Sequence, residues 1–106
     1  MDINQKAKEL AYYIKGTREF KNMNKYKEDL ERNKSLKRHL DAYLTKKNQI
    51  YSRYKIDEAN KRVSKLDKEY INFFNDPTVN NYMNSTNEFN SMMKKIYSAI
   101  ENELLK

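Results

Sequence analysis

Apolar residues recur at steps of three and four almost from end to end, the spacing that lines one face of an α-helix. Ile3, Ala7, Leu10, Ala11 and Ile14 form the first stripe. Gly16, the only glycine, stands where a left-handed C-cap would use it. Thr17 then offers its hydroxyl to cap a second helix carrying Phe20, Met23, Tyr26 and Leu30. Asn33, or alternatively Ser35, caps a third. Its stripe runs Leu36, Leu40, Tyr43, Lys47, Ile50 and Tyr54, widened by Leu44 and Tyr51. At 100° per residue these fill an arc of about 120°. The register changes near Lys55–Asp57, where Asp57 and Glu58 suit the positive end of a helix dipole. A new helix and one bent continuous helix both fit this stretch.

Ile56, Ala59, Val63, Leu66, Tyr70 and Phe73 resume the helical spacing, with Phe74 beside them. Asn75-Asp76-Pro77 is the sharpest punctuation. Asp76 serves as N-cap, and Pro77 fits the first helical position because the N–H it lacks would be unpaired there. Val79, Tyr82, Thr86, Phe89, Met93, Ile96, Ile100 and Leu104 mark a long final helix. The pattern predicts an all-α fold, residues 1–106 as one domain. It comprises about five helices in an antiparallel helical bundle with a long helical hairpin. The heptad-like steps would let that packing continue into a partner chain, so an oligomer is expected.

Composition narrows the chemistry. The 106 residues include no cysteine and a single histidine, which excludes disulfides, thiolate metal sites and cysteine nucleophiles. One glycine and one proline leave no Gly-rich phosphate loop. No segment approaches the roughly 18 apolar residues of a membrane span. The opening Met-Asp-Ile-Asn-Gln lacks the basic start and apolar run of a secretion signal, so a cytoplasmic protein is expected. His39 sits at the edge of the third stripe, and no serine has a histidine in its helix to activate it. No catalytic residue, cofactor or metal ligand is assigned, and a non-enzymatic protein is expected.

Charge is distributed unevenly. Residues 1–53 hold 14 Lys and Arg against 7 Asp and Glu, whereas residues 54–106 hold 8 of each. Lys34, Lys37, Arg38, Lys46 and Arg53 make the densest basic surface, and Tyr51 and Tyr54 alternate with Arg53 and Lys55 as a stacking platform might. Nucleic acid is therefore an alternative partner, although a solvated helix face is the plainer reading. Lys47 lies inside the apolar arc. An unpaired buried ammonium costs several kcal/mol, so it must snorkel, pair, or lie where the helix leaves the core. The last option makes the hairpin around residues 44–62 project towards another chain. The residues expected to mediate self-association are Tyr43, Lys47, Ile50, Tyr54, Val63 and Leu66.

The stretch from Leu66 through Tyr70-Ile-Asn-Phe-Phe-Asn-Asp-Pro-Thr-Val-Asn-Asn-Tyr82, then Phe89, Met92-Met93, Ile96 and Ile100, resembles the C-terminal half of the YlbF/YmcA family. Lys8-Glu9-Leu10-Ala11, Ile14 and Thr17-Arg-Glu-Phe20 resemble its opening helix and restart. Asn33 to Leu40 and Tyr43 stand at its second break. The resemblance implies a small all-helical bacterial regulator that self-associates, as a homodimer or higher homo-oligomer, or pairs with relatives. Some members act with YaaT in a complex associated with RNase Y, messenger RNA processing, competence, sporulation and biofilm formation. Iron–sulfur clusters are associated with that complex, and this chain has no thiolate to offer one. The family also includes cysteine-free members of unknown role, such as YheA, so a family member of unknown role is a further alternative.

Overall fold

The computed structural model describes residues 2–106, which form six helices and no strand. They are α1 (Ile3–Lys15), α2 (Arg18–Arg32), α3 (Lys34–Arg53), α4 (Ile56–Glu69), α5 (Ile71–Phe74) and α6 (Pro77–Leu104).

Side-chain caps set most of the boundaries. Thr17 Oγ1 accepts from the Phe20 N–H at 3.2 Å and donates to the Ile14 carbonyl at 2.6 Å, closing α1 and opening α2. Asn33 Oδ1 accepts from the Leu36 N–H at 3.2 Å, which makes Asn33, and not Ser35, the cap of α3. Asp76 Oδ1 accepts from Thr78 at 2.9 Å and Val79 at 3.4 Å, ahead of Pro77 at the first position of α6. Each such cap contributes about 1 kcal/mol.

Two expectations need correction. Gly16 is not left-handed: it has φ −82° and ψ −7°, an ordinary right-handed geometry. Thr17 satisfies the end of the helix through its own hydroxyl and N–H, so no Schellman-type reversal is required. The helix count is six because the fourth stripe does not run unbroken to Phe74. It stops at Tyr70, whose N–H is shared between the Leu66 and Asp67 carbonyls at 3.2 Å each. The chain turns there, and α5 presents Phe74 edge-on to the Tyr43 ring, 4.8 Å between centroids. α3 and α4 are separate helices, divided by extended Tyr54 and Lys55.

The chain divides into two compact units, with the boundaries falling inside α2 and α6. One spans Asp29–Asn80 and is built on α3 and α4, which run antiparallel. Tyr51 near the link meets Asn60, and Tyr43 further away meets Asp67. Leu40, Tyr43, Ala59, Val63 and Leu66 are buried here, as are Leu30 and Val79. The other takes the chain up to Glu28 together with Asn81–Lys106. In it α2 packs on α6 through Phe20 and Phe89, with ring centroids 5.9 Å apart. Ser85 is buried and donates to the Tyr82 carbonyl at 2.8 Å. No side chain of α1 is buried.

Candidate functional site

The α3–α4 hairpin uses much of its apolar surface on itself. Tyr43, Val63 and Leu66 are buried within the unit that the hairpin forms. The Tyr43 hydroxyl donates to Asp67 Oδ1 at 2.5 Å. Burial pushes this phenol well above its ordinary pKa, and the carboxylate that accepts its proton adds to the rise. Lys47 is half-buried, its ammonium 5.9 Å from the centroid of the Tyr43 ring. A half-buried lysine of this kind keeps its charge near an aromatic face without a fully buried ion. Of the six residues expected at a self-association surface, Ile50 is half-buried and Tyr54 is exposed. These two are the apolar ones left accessible.

The same hairpin carries an open groove of about 310 Å³. Lys46, Ile50, Arg53 and Tyr54 line it from the α3 side, and Arg62, Lys65, Leu66 and Glu69 line it from α4. The Arg62 guanidinium stacks 4.0 Å from the Tyr54 ring centroid while its Nε donates to Glu58 at 2.9 Å. Lys46 Nζ donates to the Tyr70 hydroxyl at 3.1 Å. Arg53 and Lys65 make no ion pair among the described residues.

The basic surface expected from the sequence is thereby divided. Lys46 and Arg53 face the groove; Lys34, Lys37 and Arg38 do not line it, and Lys37 pairs with Asp41 at 2.7 Å. Arg62 and Lys65 escape sequence reasoning because the second half of the chain sums to zero charge. Only the register between α3 and α4 brings them opposite Lys46 and Arg53, and no pattern within one helix encodes that register. The exposed Tyr54 ring already carries Arg62 on it, so it is not a bare stacking platform.

A second surface belongs to the other unit. Ile3, Ala7, Leu10 and Ala11 of α1 are exposed, Ile3 at 84% and Leu10 at 40%, and Ile14 is half-buried. The stripe predicted from the sequence is present, with its apolar side facing water. In α6, Phe89, Met93 and Ile96 are half-buried, but the stripe opens out through Tyr97 and Ile100 to Leu104, which is 78% exposed.

His39 has a structural setting: its ring stacks on Phe73 at 5.7 Å and its Nδ1 lies 2.9 Å from the Ser35 carbonyl. Among the described residues, no three of His, Asp and Glu converge on a metal-sized site. No helix there is long and apolar enough to cross a membrane.

Residues 3–104 match the family model described as control of competence regulator ComK, YlbF/YmcA. No curated protein and no solved structure matches the chain.

Proposed function

Because the chain belongs to the YlbF/YmcA family, whose model is described by control of the competence regulator ComK, we propose that it is a non-enzymatic adaptor. It regulates by binding proteins, and a second copy of itself is one of them. The observation that carries this reading is α1: a helix with a continuous apolar stripe and no buried side chain. Covering a large apolar side chain contributes roughly 1.5–3 kcal/mol, so leaving Ile3 and Leu10 in water forgoes several kcal/mol.

The second copy fits for two reasons. The α1 stripe and the open end of the α6 stripe share the spacing of three and four that packs helices side by side. Ala7 and Ala11 let a neighbouring helix approach at the short end of the roughly 8–10 Å range. The dimer therefore pairs the α1 and α6 stripes of two copies. Sedimentation at tens of micromolar tests it: a dimer is expected, and Leu10→Asp with Ile100→Asp should return it to monomer without loss of helical circular dichroism. A wild-type monomer at that concentration overturns the self-association.

The finer reading places the adaptor in an RNase Y-associated complex with family relatives, affecting messenger RNA processing, competence, sporulation or biofilm formation. Without cysteine it contributes no thiolate to a cluster there. Co-purification of the intact chain with RNase Y and its associated proteins supports this placement, and failure of all of them to co-purify overturns it.

A further inference from the structure

We infer that the groove between α3 and α4 is a docking site for an acidic amphipathic helix of a partner protein. This rests on the adaptor reading and names the chemistry of the partner.

Three features of the groove select the occupant. The first is charge. Lys46 and Arg53 on α3 face Arg62 and Lys65 on α4, and Glu69 is the one acid among the lining residues. Arg53 and Lys65 have no ion-pair partner among the described residues, so an incoming carboxylate gains a cation without displacing an existing acid. The second is the apolar lining. Ile50, half-buried, and Leu66, 6% exposed, are the aliphatic lining residues, and Tyr54 is the aromatic one. Apolar lining among cations complements a ligand with an apolar edge flanked by anions.

The third is length. From Lys46 to Tyr54 the α3 side extends about 12 Å, at 1.5 Å per residue, or just over two turns. That is the span over which a helix lays down anchors at i, i+3 or i+4, and i+7. A helix with Leu or Ile at those positions and Glu or Asp on both flanks meets the apolar lining and the cations together.

A single-stranded nucleic acid fits less well. Its phosphates would use the cations, but aliphatic lining gives bases little to stack on. The Tyr54 ring that could serve them already carries the Arg62 guanidinium at 4.0 Å. A phosphate chain also has no use for Ile50 and Leu66.

The test uses the full chain and a labelled synthetic peptide of about 14 residues, four turns of helix. The peptide has Leu at i, i+4 and i+7 and Glu on both flanks. A scrambled peptide of the same composition and a uridine decamer serve as comparison probes. Arg53 and Lys65 are exposed, so the double variant Arg53→Glu/Lys65→Glu is expected to keep its helical circular dichroism. Lys34→Glu/Arg38→Glu makes the same change in net charge at exposed positions outside the groove.

The amphipathic peptide should bind the wild type and lose about tenfold or more in affinity with Arg53→Glu/Lys65→Glu. It should lose less than about threefold with Lys34→Glu/Arg38→Glu. The inference is overturned if the scrambled peptide binds equally well, if both double variants weaken binding alike, or if only the uridine decamer shows groove-dependent binding. No peptide binding by a chain that still sediments as a dimer removes the groove assignment alone. Groove-dependent peptide binding by a monomer supports the groove and overturns self-association.

Discussion

The two units of this chain have nearly the same length and use apolar residues differently. All seven buried apolar side chains among the described residues lie between Asp29 and Asn80. Among the described residues of the unit that contains α1 and the end of α6, Ser85 is the one buried residue. Both units carry helical stripes of similar regularity in the sequence. Within the first, α3 and α4 turn their stripes on one another across a two-residue link, and α5 adds its aromatic rings to Tyr43. In the second, no side chain of α1 is buried. An amphipathic pattern therefore says that a helix has something to bury, and not whether the partner lies in the same molecule.

The sharpest way to break this comparison is to truncate one leucine in each unit. Leu66 is 6% exposed, so Leu66→Ala should cost about 2–5 kcal/mol in urea unfolding, the usual range for a buried leucine. Leu10 is 40% exposed, and Leu10→Ala should change the stability of the monomer by no more than about 0.5 kcal/mol. At higher protein concentration Leu10→Ala should lower stability as well, because association stabilises the folded chain by mass action. A Leu10→Ala penalty as large as that of Leu66→Ala under dilute conditions would show that the open stripe is an internal core after all.

The parts of the structure legible in the sequence are those set by local chemistry. Thr17, Asn33 and Asp76-Pro77 each cap or open a helix through atoms within three residues of themselves, so composition and position were enough. The break at Tyr70 has no glycine, proline or side-chain cap to announce it. It comes from packing Tyr70, Phe73 and Phe74 around Tyr43, a contact between residues about 30 apart. The groove was hidden for a related reason. Its four cations are split between two helices, and two of them lie in a half-chain whose charges cancel. Lys47 was legible as an anomaly, and its ammonium lies 5.9 Å from the centroid of the Tyr43 ring.

A smaller effect tests how tightly the closed unit is specified. Tyr43→Phe keeps the ring packing and removes the hydroxyl that donates to Asp67, leaving a half-buried carboxylate without that donor. A cost of about 1–2 kcal/mol is expected. Burial and the Asp67 bond raise the folded pKa of this phenol above its unfolded value near 10. The stability from the neutral phenol is therefore complete below pH 10 and is lost as the pH rises above it. Phenylalanine cannot ionise, so the gap between wild type and variant should narrow above pH 10. Urea midpoints at neutral pH and above pH 10 measure this, and a gap that stays constant would show that Tyr43 ionises equally well in both states.

The smallest effect concerns the open unit and the backbone that delivers α1. If Gly16 were left-handed, as a C-cap glycine commonly is, an alanine there would cost roughly 1–2 kcal/mol. Its φ of −82° instead lies where alanine is at ease. A Cβ added there would meet the Tyr13 carbonyl oxygen at 3.4 Å and that of Tyr12 at 4.0 Å, ordinary contacts. Gly16→Ala should therefore stabilise the chain by about 0.4–1 kcal/mol, mainly by restricting the unfolded chain. The gain should be the same in dilute and concentrated protein, because Gly16 lies outside the α1 stripe. Thermal unfolding at two concentrations separates the possibilities. Destabilisation would mean that the link adopts a left-handed turn in solution. A gain that appears only in concentrated protein would mean that the link is ordered by the second copy, which would extend the open surface from α1 into the start of α2.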